Sequence, residues 1–290
     1  MRLRSYLIVT VSLLLIFSGL ISPSSASSDE DIFWETAATE LDSFPFSQSF
    51  IDSVTNEFGV VRPTSSLREI STGPFARGEK LVYEVSWGLF RAGFLVVNTE
   101  YQPHSNMIRV GAKAISNNFI SAFYRVRDYI ISWIDADGLY PVFFEQHIRE
   151  RNKQTDGYVI FDHLSEQIFI EGRRSRVVEE APPISHDYLS ILHHMRSLDF
   201  SPGEEHTFDL LMSSEVNPIK VRVRERGEIS TDAGDFKTIR LEPQLRGRSF
   251  RRRDRLEIWV TDDEYKMPVE IRTRLRFGSL TARLIHYQRA

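Results

Sequence analysis

The chain has no cysteine among its 290 residues. That excludes a disulfide framework, a thiol nucleophile, a thiolate metal site and a lipid-modified cysteine after a leader. A chain of this length without crosslinks has to be stabilised by a buried core. Charge of one sign is lacking too. Lys and Arg number 36 against 40 Asp and Glu, so the overall balance draws the protein neither to nucleic acid nor to an anionic bilayer. There is no Gly-x-Ser-x-Gly elbow and no phosphate loop. After residue 26 no apolar run is long enough to span a bilayer, so no stable transmembrane segment is expected once the leader is removed.

What is present starts with that leader. Arg2 and Arg4 precede an uncharged apolar run from Ser5 to Ile21, and Pro23 and Ser24-Ser25-Ala26 follow. A short basic region, an apolar stretch and a small-x-small tail are the marks of a secretory signal peptide cleaved after Ala26. The rival is a retained anchor, because the run matches the shortest membrane spans. Pro23 and the small residues favour cleavage. The expectation is an exported, periplasmic protein with signal peptide 1–26, an N-terminal arm 27–75 and a single β-rich domain 76–290. The arm mixes Ser, Thr and acids with scattered aromatics such as Phe33, Trp34 and Phe44, and a short helix over 32–41 is possible within it.

From Arg77 onward the pattern alternates. Leu81, Tyr83, Val85 and Trp87 share one face; so do Val221 and Val223, then Leu256, Ile258 and Val260, then Ile271, Thr273, Leu275 and Phe277. Period-two alternation means one buried and one wet face, the habit of antiparallel sheets. Turns are expected at Asp137-Gly138, Asp156-Gly157, Pro202-Gly203, Ala233-Gly234 and Asp262-Asp263, dividing about a dozen strands. One stretch breaks the rhythm. Residues 187–198 place Tyr188, Ile191, Leu192, Met195 and Leu198 at helical spacing, with Asp187 as cap, fenced by Pro182-Pro183 and Pro202-Gly203. An internal echo also stands out: Trp133 to Pro141-Val142 resembles Trp259 to Pro268-Val269, each an Asp-rich turn followed by Pro at the start of a strand. The two could be equivalent hairpins of one meander.

These segments resemble, in order, the family known as domain of unknown function 3108: Phe75 to Gly93, Phe123 to Asp128, the 187–198 helix, Asp232 to Phe236 and Ile258 to Asp263. The resemblance covers about 75 to 287. It implies an exported bacterial β-rich protein and brings no chemistry with it. The Trp-x-Asp-turn-Pro hairpin is also similar to those of periplasmic lipoprotein carriers, whose half-barrels wrap a helix-plugged cavity. That is analogy of fold alone.

Candidate chemistry is sparse. His193 and His194 follow His186 and Asp187, but adjacent helical histidines point about 100° apart and serve one ion poorly; a helix-packing or surface role is the simpler one, and no metal site and no cofactor are expected. Asp135 and Asp137 are turn formers first, and Asp128 follows Arg125 and Arg127, an ion-pair setting. No catalytic residue is therefore assigned. The Arg-rich run 246–255 includes Arg251, Arg252 and Arg253, candidates for contact with an anionic headgroup or for a solvated loop. The aromatics Trp87, Phe90, Phe94, Phe119, Phe123, Trp133 and Phe143 either fill a core or line a concave apolar site.

The expected fold is thus all-β dominated: a curved antiparallel sheet or half-open β-barrel with one packed helix. The expected function is non-enzymatic binding of an apolar or amphiphilic ligand, a lipid or lipoprotein acyl chain, in the cell envelope. The alternatives are an assembly factor binding an envelope protein partner, and a periplasmic hydrolase.

Overall fold

The computed structural model describes residues 66–151, 153–172, 175–212, 214–244, 255–275 and 278–290. The leader, the possible helix at 32–41 and Arg251, Arg252 and Arg253 lie outside them.

Among the described residues the strands form one sheet of fifteen, more than the dozen expected, with short ones making up the difference. The first meander comprises β1 (Gly78–Trp87), β2 (Phe90–Gln102), β3 (Met107–Ser116), β4 (Arg127–Asp135), β5 (Pro141–Glu150), β6 (Lys153–Asp162), β7 (Gln167–Gly172) and β8 (Ser175–Glu180). The second comprises the two-residue β9 (Ser185–His186), then β10 (Glu205–Met212), β11 (Glu215–Thr231), β12 (Gly234–Gln244), β13 (Arg255–Thr261), β14 (Pro268–Leu275) and β15 (Gly278–Arg289). Every strand pairs with its chain neighbour except where β1 meets β15 and joins the two meanders, and where β8 and β9 form the free edges. Pairing is antiparallel throughout apart from β9 with β10. Only residues 181–184 separate the two edge strands in the chain, so the edges cannot lie more than roughly 17 Å apart. The sheet therefore has to curl into an open, curved half-barrel.

Among the described residues two α-helices accompany it: α1 (Asn118–Ser121) and α2 (Tyr188–Arg196). The second matches the expected helix. Its Asp187 cap accepts from the NH groups of Leu189 and Ser190 and completes a capping box with Ser190. It follows the edge strand β9 and packs in the concavity. Ile191 and Met195 join one core cluster with Leu81, Tyr83, Val221, Val223, Leu241 and Leu284; Leu189 joins a second with Ile108, Val110, Ile130, Phe144 and Ile168. Tyr188 packs against both. The helix is thus a plug seated between the meanders.

One turn expectation is overturned. Asp156-Gly157 lies inside β6, opposite His147 and Gln146 of β5. Its Asp is held by a cross-strand pair instead of a turn: the carboxylate meets His147 Nδ1 at 2.8 Å and Arg149 Nη2 at 2.6 Å. The internal echo is real as structure. Trp133 faces Phe143 and Ile134 faces Pro141, with a bulge between; Trp259 faces Glu270 and Val260 faces Pro268, with a bulge at the same point. Leu139 and Lys266, each two residues before its Pro, both take left-handed backbone conformations, with φ of 51° and 42°.

Candidate functional site

The antiparallel order gives the half-barrel two distinct ends. At the base lie the start of β1, the β4–β5 and β13–β14 hairpins and the C-terminal end of α2. At the mouth lie the β1–β2 turn, the β3–β4 link and the β14–β15 turn.

The mouth is apolar. Trp87 closes β1 opposite Phe90 of β2 and Leu280 of β15. Its indole lies against Gly278, where a Cβ would come within 2.6 Å of Nε1, so only glycine allows this approach. Gly88 takes φ of 60° in the turn, and Leu89 beyond it is 98% exposed. The short helix α1 is tied down beside them: the Asn117 NH donates to Ala92 O, Asn117 Nδ2 donates to Arg91 O, and Asn117 Oδ1 accepts from the Ile120 NH. That positions Phe119 against the core and leaves Phe123 51% exposed, the two rings edge-to-face at 5.8 Å. Phe90 is 39% exposed. Four of the seven sequence-assigned aromatics, Trp87, Phe90, Phe119 and Phe123, therefore gather at one end of the half-barrel.

The other three do not join them. Phe143 belongs to a cluster with Ile160 and Phe169, Trp133 packs against that cluster, and Phe94 shares a strand face with Val96. All three lie on the outer face of the sheet, away from α2. The division follows from strand parity, since Phe144 and Val97 beside them point inward. Leu89 was missed by sequence reasoning; the available signal was an apolar residue placed directly after a turn glycine.

At the base, polar groups hold the plug. Arg196 pairs with Glu79 through two guanidinium nitrogens, the two side chains being 1% exposed. Its Nε and Nη2 also donate to Tyr265 O at 3.1 and 3.0 Å, and it stacks 4.3 Å from the Phe75 ring. Ser132 Oγ donates to Asp187 Oδ2 at 2.6 Å. Burial pushes the Asp187 carboxyl up to about 6 despite these hydrogen bonds.

The histidines are buried packing groups with readable tautomers. His193 Nδ1 lies 2.9 Å from Leu189 O, which can only accept, so Nδ1 carries the proton and Nε2 accepts from Thr99 Oγ1 at 3.2 Å. Arg68 Nη2, a pure donor, lies 3.4 Å from His194 Nδ1, so that nitrogen accepts; His186 Nε2 lies 3.1 Å from the same nitrogen. Burial, with Arg196 beside one and Arg68 beside the other, holds His193 and His194 down to about 4; burial and His194 hold His186 well below its usual value. Among the described residues no three side chains of metal-binding type are grouped to hold an ion. Asp128 accepts the Arg149 backbone NH at 2.9 Å. Asp135 is the turn former expected, accepting from the Asp137 and Gly138 NH groups. A cleft of about 570 Å³ opens beside Arg196, between residues 71–74 and the β13–β14 hairpin. Asp199, Arg226, Asp262, Glu264 and Lys266 give it mixed charge.

The chain belongs to the family described as "Protein of unknown function (DUF3108)", whose model matches residues 82–285. No curated protein matches it. Among solved structures it is similar to a β-barrel-like protein of domain of unknown function 1849 from Brucella abortus. The TM-score is 0.53 at 8% identity, over 78% of this chain and 100% of that one. At that identity the likeness shows fold alone. Weaker likenesses are to a candidate exported protein with a YmcC-like fold from Bacteroides fragilis (TM-score 0.31, 10% identity, 77% of this chain and 98% of that one) and to a candidate lipoprotein from Parabacteroides distasonis (0.32, 9%, 75% and 99%). Among the described residues no helix is long and apolar enough to cross a membrane.

Proposed function

We propose that this chain is a non-enzymatic protein of the bacterial cell envelope that seats the apolar part of an amphiphile, a lipid or lipoprotein acyl chain, at the aromatic mouth of the half-barrel. The observation that carries the reading is the grouping of exposed Leu89, Phe90 and Phe123 with Trp87 and Phe119 at one end, opposite the end closed by α2. Contiguous exposed apolar surface of this kind marks binding sites on soluble folds. Each methylene taken from water there contributes about 0.8 kcal/mol. The Arg251–Arg253 run supports a charged headgroup: the strands flanking it, β12 and β13, end and begin at the mouth. The leader-like pattern of residues 1–26 supports this reading, since an exported protein would meet such ligands in the envelope.

The test is lipid extraction of protein purified from its native envelope, with titration of a fluorescent long-chain fatty acid. Co-purifying acyl chains, and at least tenfold weaker probe binding by the Leu89→Ser/Phe123→Ser variant, are expected. No lipid and no probe binding would sink the reading. A protein partner is the second reading, favoured by the free edge of β8, where Val178 is 41% exposed.

A further inference from the structure

The outer face of the second meander carries arginines of two kinds. Most are matched. Arg222 meets Glu205 at 3.0 Å, Arg224 meets Glu242 at 2.6 Å, and Arg240 meets Glu257 at 2.9 Å. Arg272 and Arg283 share Glu270, at 2.6 and 2.7 Å. Arg255 and Arg274 are different. They stand directly opposite each other, at the start of β13 and near the end of β14, on the face away from the buried Leu256 and Thr273. Both are exposed, and no carboxylate among the described residues forms an ion pair with either. The carboxylates nearest in register are already taken: Glu257 by Arg240, Glu270 by its own two arginines. Like charges directly opposed across an antiparallel pair destabilise a sheet. This pair therefore does nothing for the fold, and its charge is left for a group outside the chain.

We infer that Arg255, Arg274 and Ser279 form a phosphate-binding site through which the mouth docks on an anionic bilayer. Chemistry selects the phosphate. A guanidinium binds a phosphate with two parallel hydrogen bonds. Opposed residues of an antiparallel pair have Cβ atoms about 5 Å apart, so both arginines can close on one phosphate. Ser279 of β15 stands opposite Arg274 in turn and adds a hydroxyl donor on the same face. Position selects the bilayer. The Ser279 carbonyl accepts the Gly88 NH at 2.9 Å, which ties the third residue of the site to the turn that carries Leu89. Arg274 is two strands from the end of β1, roughly 10 Å. A headgroup phosphate on the arginines thus leaves Leu89 and Phe123, the most exposed apolar side chains of the mouth, facing the lipid. The inference rests on the mouth as the seat of an amphiphile and adds the surface from which that amphiphile is drawn.

The test is flotation of the whole chain, purified from its native envelope, with vesicles of phosphatidylcholine alone and of phosphatidylcholine with phosphatidylglycerol. Binding to the anionic vesicles is expected, and Arg255→Gln/Arg274→Gln should weaken it about thirtyfold, the loss of two basic groups at a membrane surface. Arg222→Gln/Arg224→Gln removes the same charge from matched positions of the same face and should weaken binding less than about threefold, because charges away from the contact are screened. The urea midpoint of Arg255→Gln/Arg274→Gln should equal or exceed that of the unaltered chain, which separates a lost site from a lost fold. Equal binding by the unaltered chain and this variant overturns the proposal. So does an equal loss in the two double variants, which would mean general surface charge, and so does equal binding to both kinds of vesicle. Inorganic phosphate supplies the remaining arm. A midpoint raised by phosphate in a chain that no vesicle carries upward would assign the site to a soluble phosphate and overturn the docking. Flotation needs no fatty acid and the fatty-acid titration needs no vesicle, so this proposal and the reading of the mouth fail separately.

Discussion

The β4–β5 and β13–β14 hairpins are one device used twice, with different partners. Each has Trp, an Asp-capped turn, a left-handed residue and Pro opening the next strand, with the same bulge. In each, the carbonyl three residues before the Pro receives an arginine. Gly138 O accepts from Arg68 Nε at 2.6 Å, and Tyr265 O accepts from Arg196 Nε at 3.1 Å. The arginines come from different places. Arg196 is the last residue of the plug and carries a buried carboxylate, Glu79. Arg68 comes from the arm and meets a neutral histidine, His194. The same covalent pattern thus makes one anchor whose charge is neutralised and one whose strength depends on a histidine staying uncharged.

The largest break in this symmetry should come from Arg196→Met. It leaves Glu79 buried without its partner and should lose about 3–5 kcal/mol, seen as a lower urea midpoint. Glu79→Gln should recover part of that in the double variant, because the uncompensated charge is then gone.

Arg68→Ala should cost about 1.5–3 kcal/mol at neutral pH through its lost hydrogen bonds. It also bears on acid stability. His193 and His194 are held down to about 4 in the fold, so below the ordinary imidazole value of 6.5 the unfolded chain takes up protons first. Their contribution is intact above pH 6.5 and is lost as pH falls toward 4. Asp187, raised to about 6, acts the other way: the fold takes its proton between about 6 and 3.8, which adds stability on acidification. Two downward shifts outweigh one upward shift, so the urea midpoint should fall between pH 6.5 and 4. Arg68→Ala should flatten that fall, since Arg68 contributes to the depression at His194. An unchanged slope would detach the arm from the histidine pair.

The smallest effect is expected at Arg226, which reaches Asp262 of the second hairpin at 2.7 Å with half its side chain in water. Arg226→Ala should change stability by less than about 1 kcal/mol. A larger loss would mean that the second hairpin depends on its surface as well as on Arg196.

How far the sequence speaks depends on which faces meet water. In β11, β13 and β14 the inward Val, Leu and Ile alternate with outward Lys, Arg and Glu, and the strands can be read directly. In β3 to β7, runs such as Tyr129-Ile130-Ile131 and Val142-Phe143-Phe144 show no alternation, because both faces are buried. There the aromatics Phe94, Trp133 and Phe143 could be named but not assigned to a side. Helix α2 could be found from its spacing and cap, while its partners could not: His186 meets His194, a pair that straddles the start of the helix.

The sequence by itself determined the cysteine-free, core-stabilised β architecture, the capped helix and the paired Trp–Pro turns, because periodicity, capping and turn chemistry act over a few residues. Only the tertiary structure decided that the helix plugs the concavity, that Arg196 finds Glu79 across 117 positions of chain, and that Leu89 and Phe123 share one mouth. Those outcomes rest on strand order and sheet curvature, which bring distant residues together and leave no mark at local spacing.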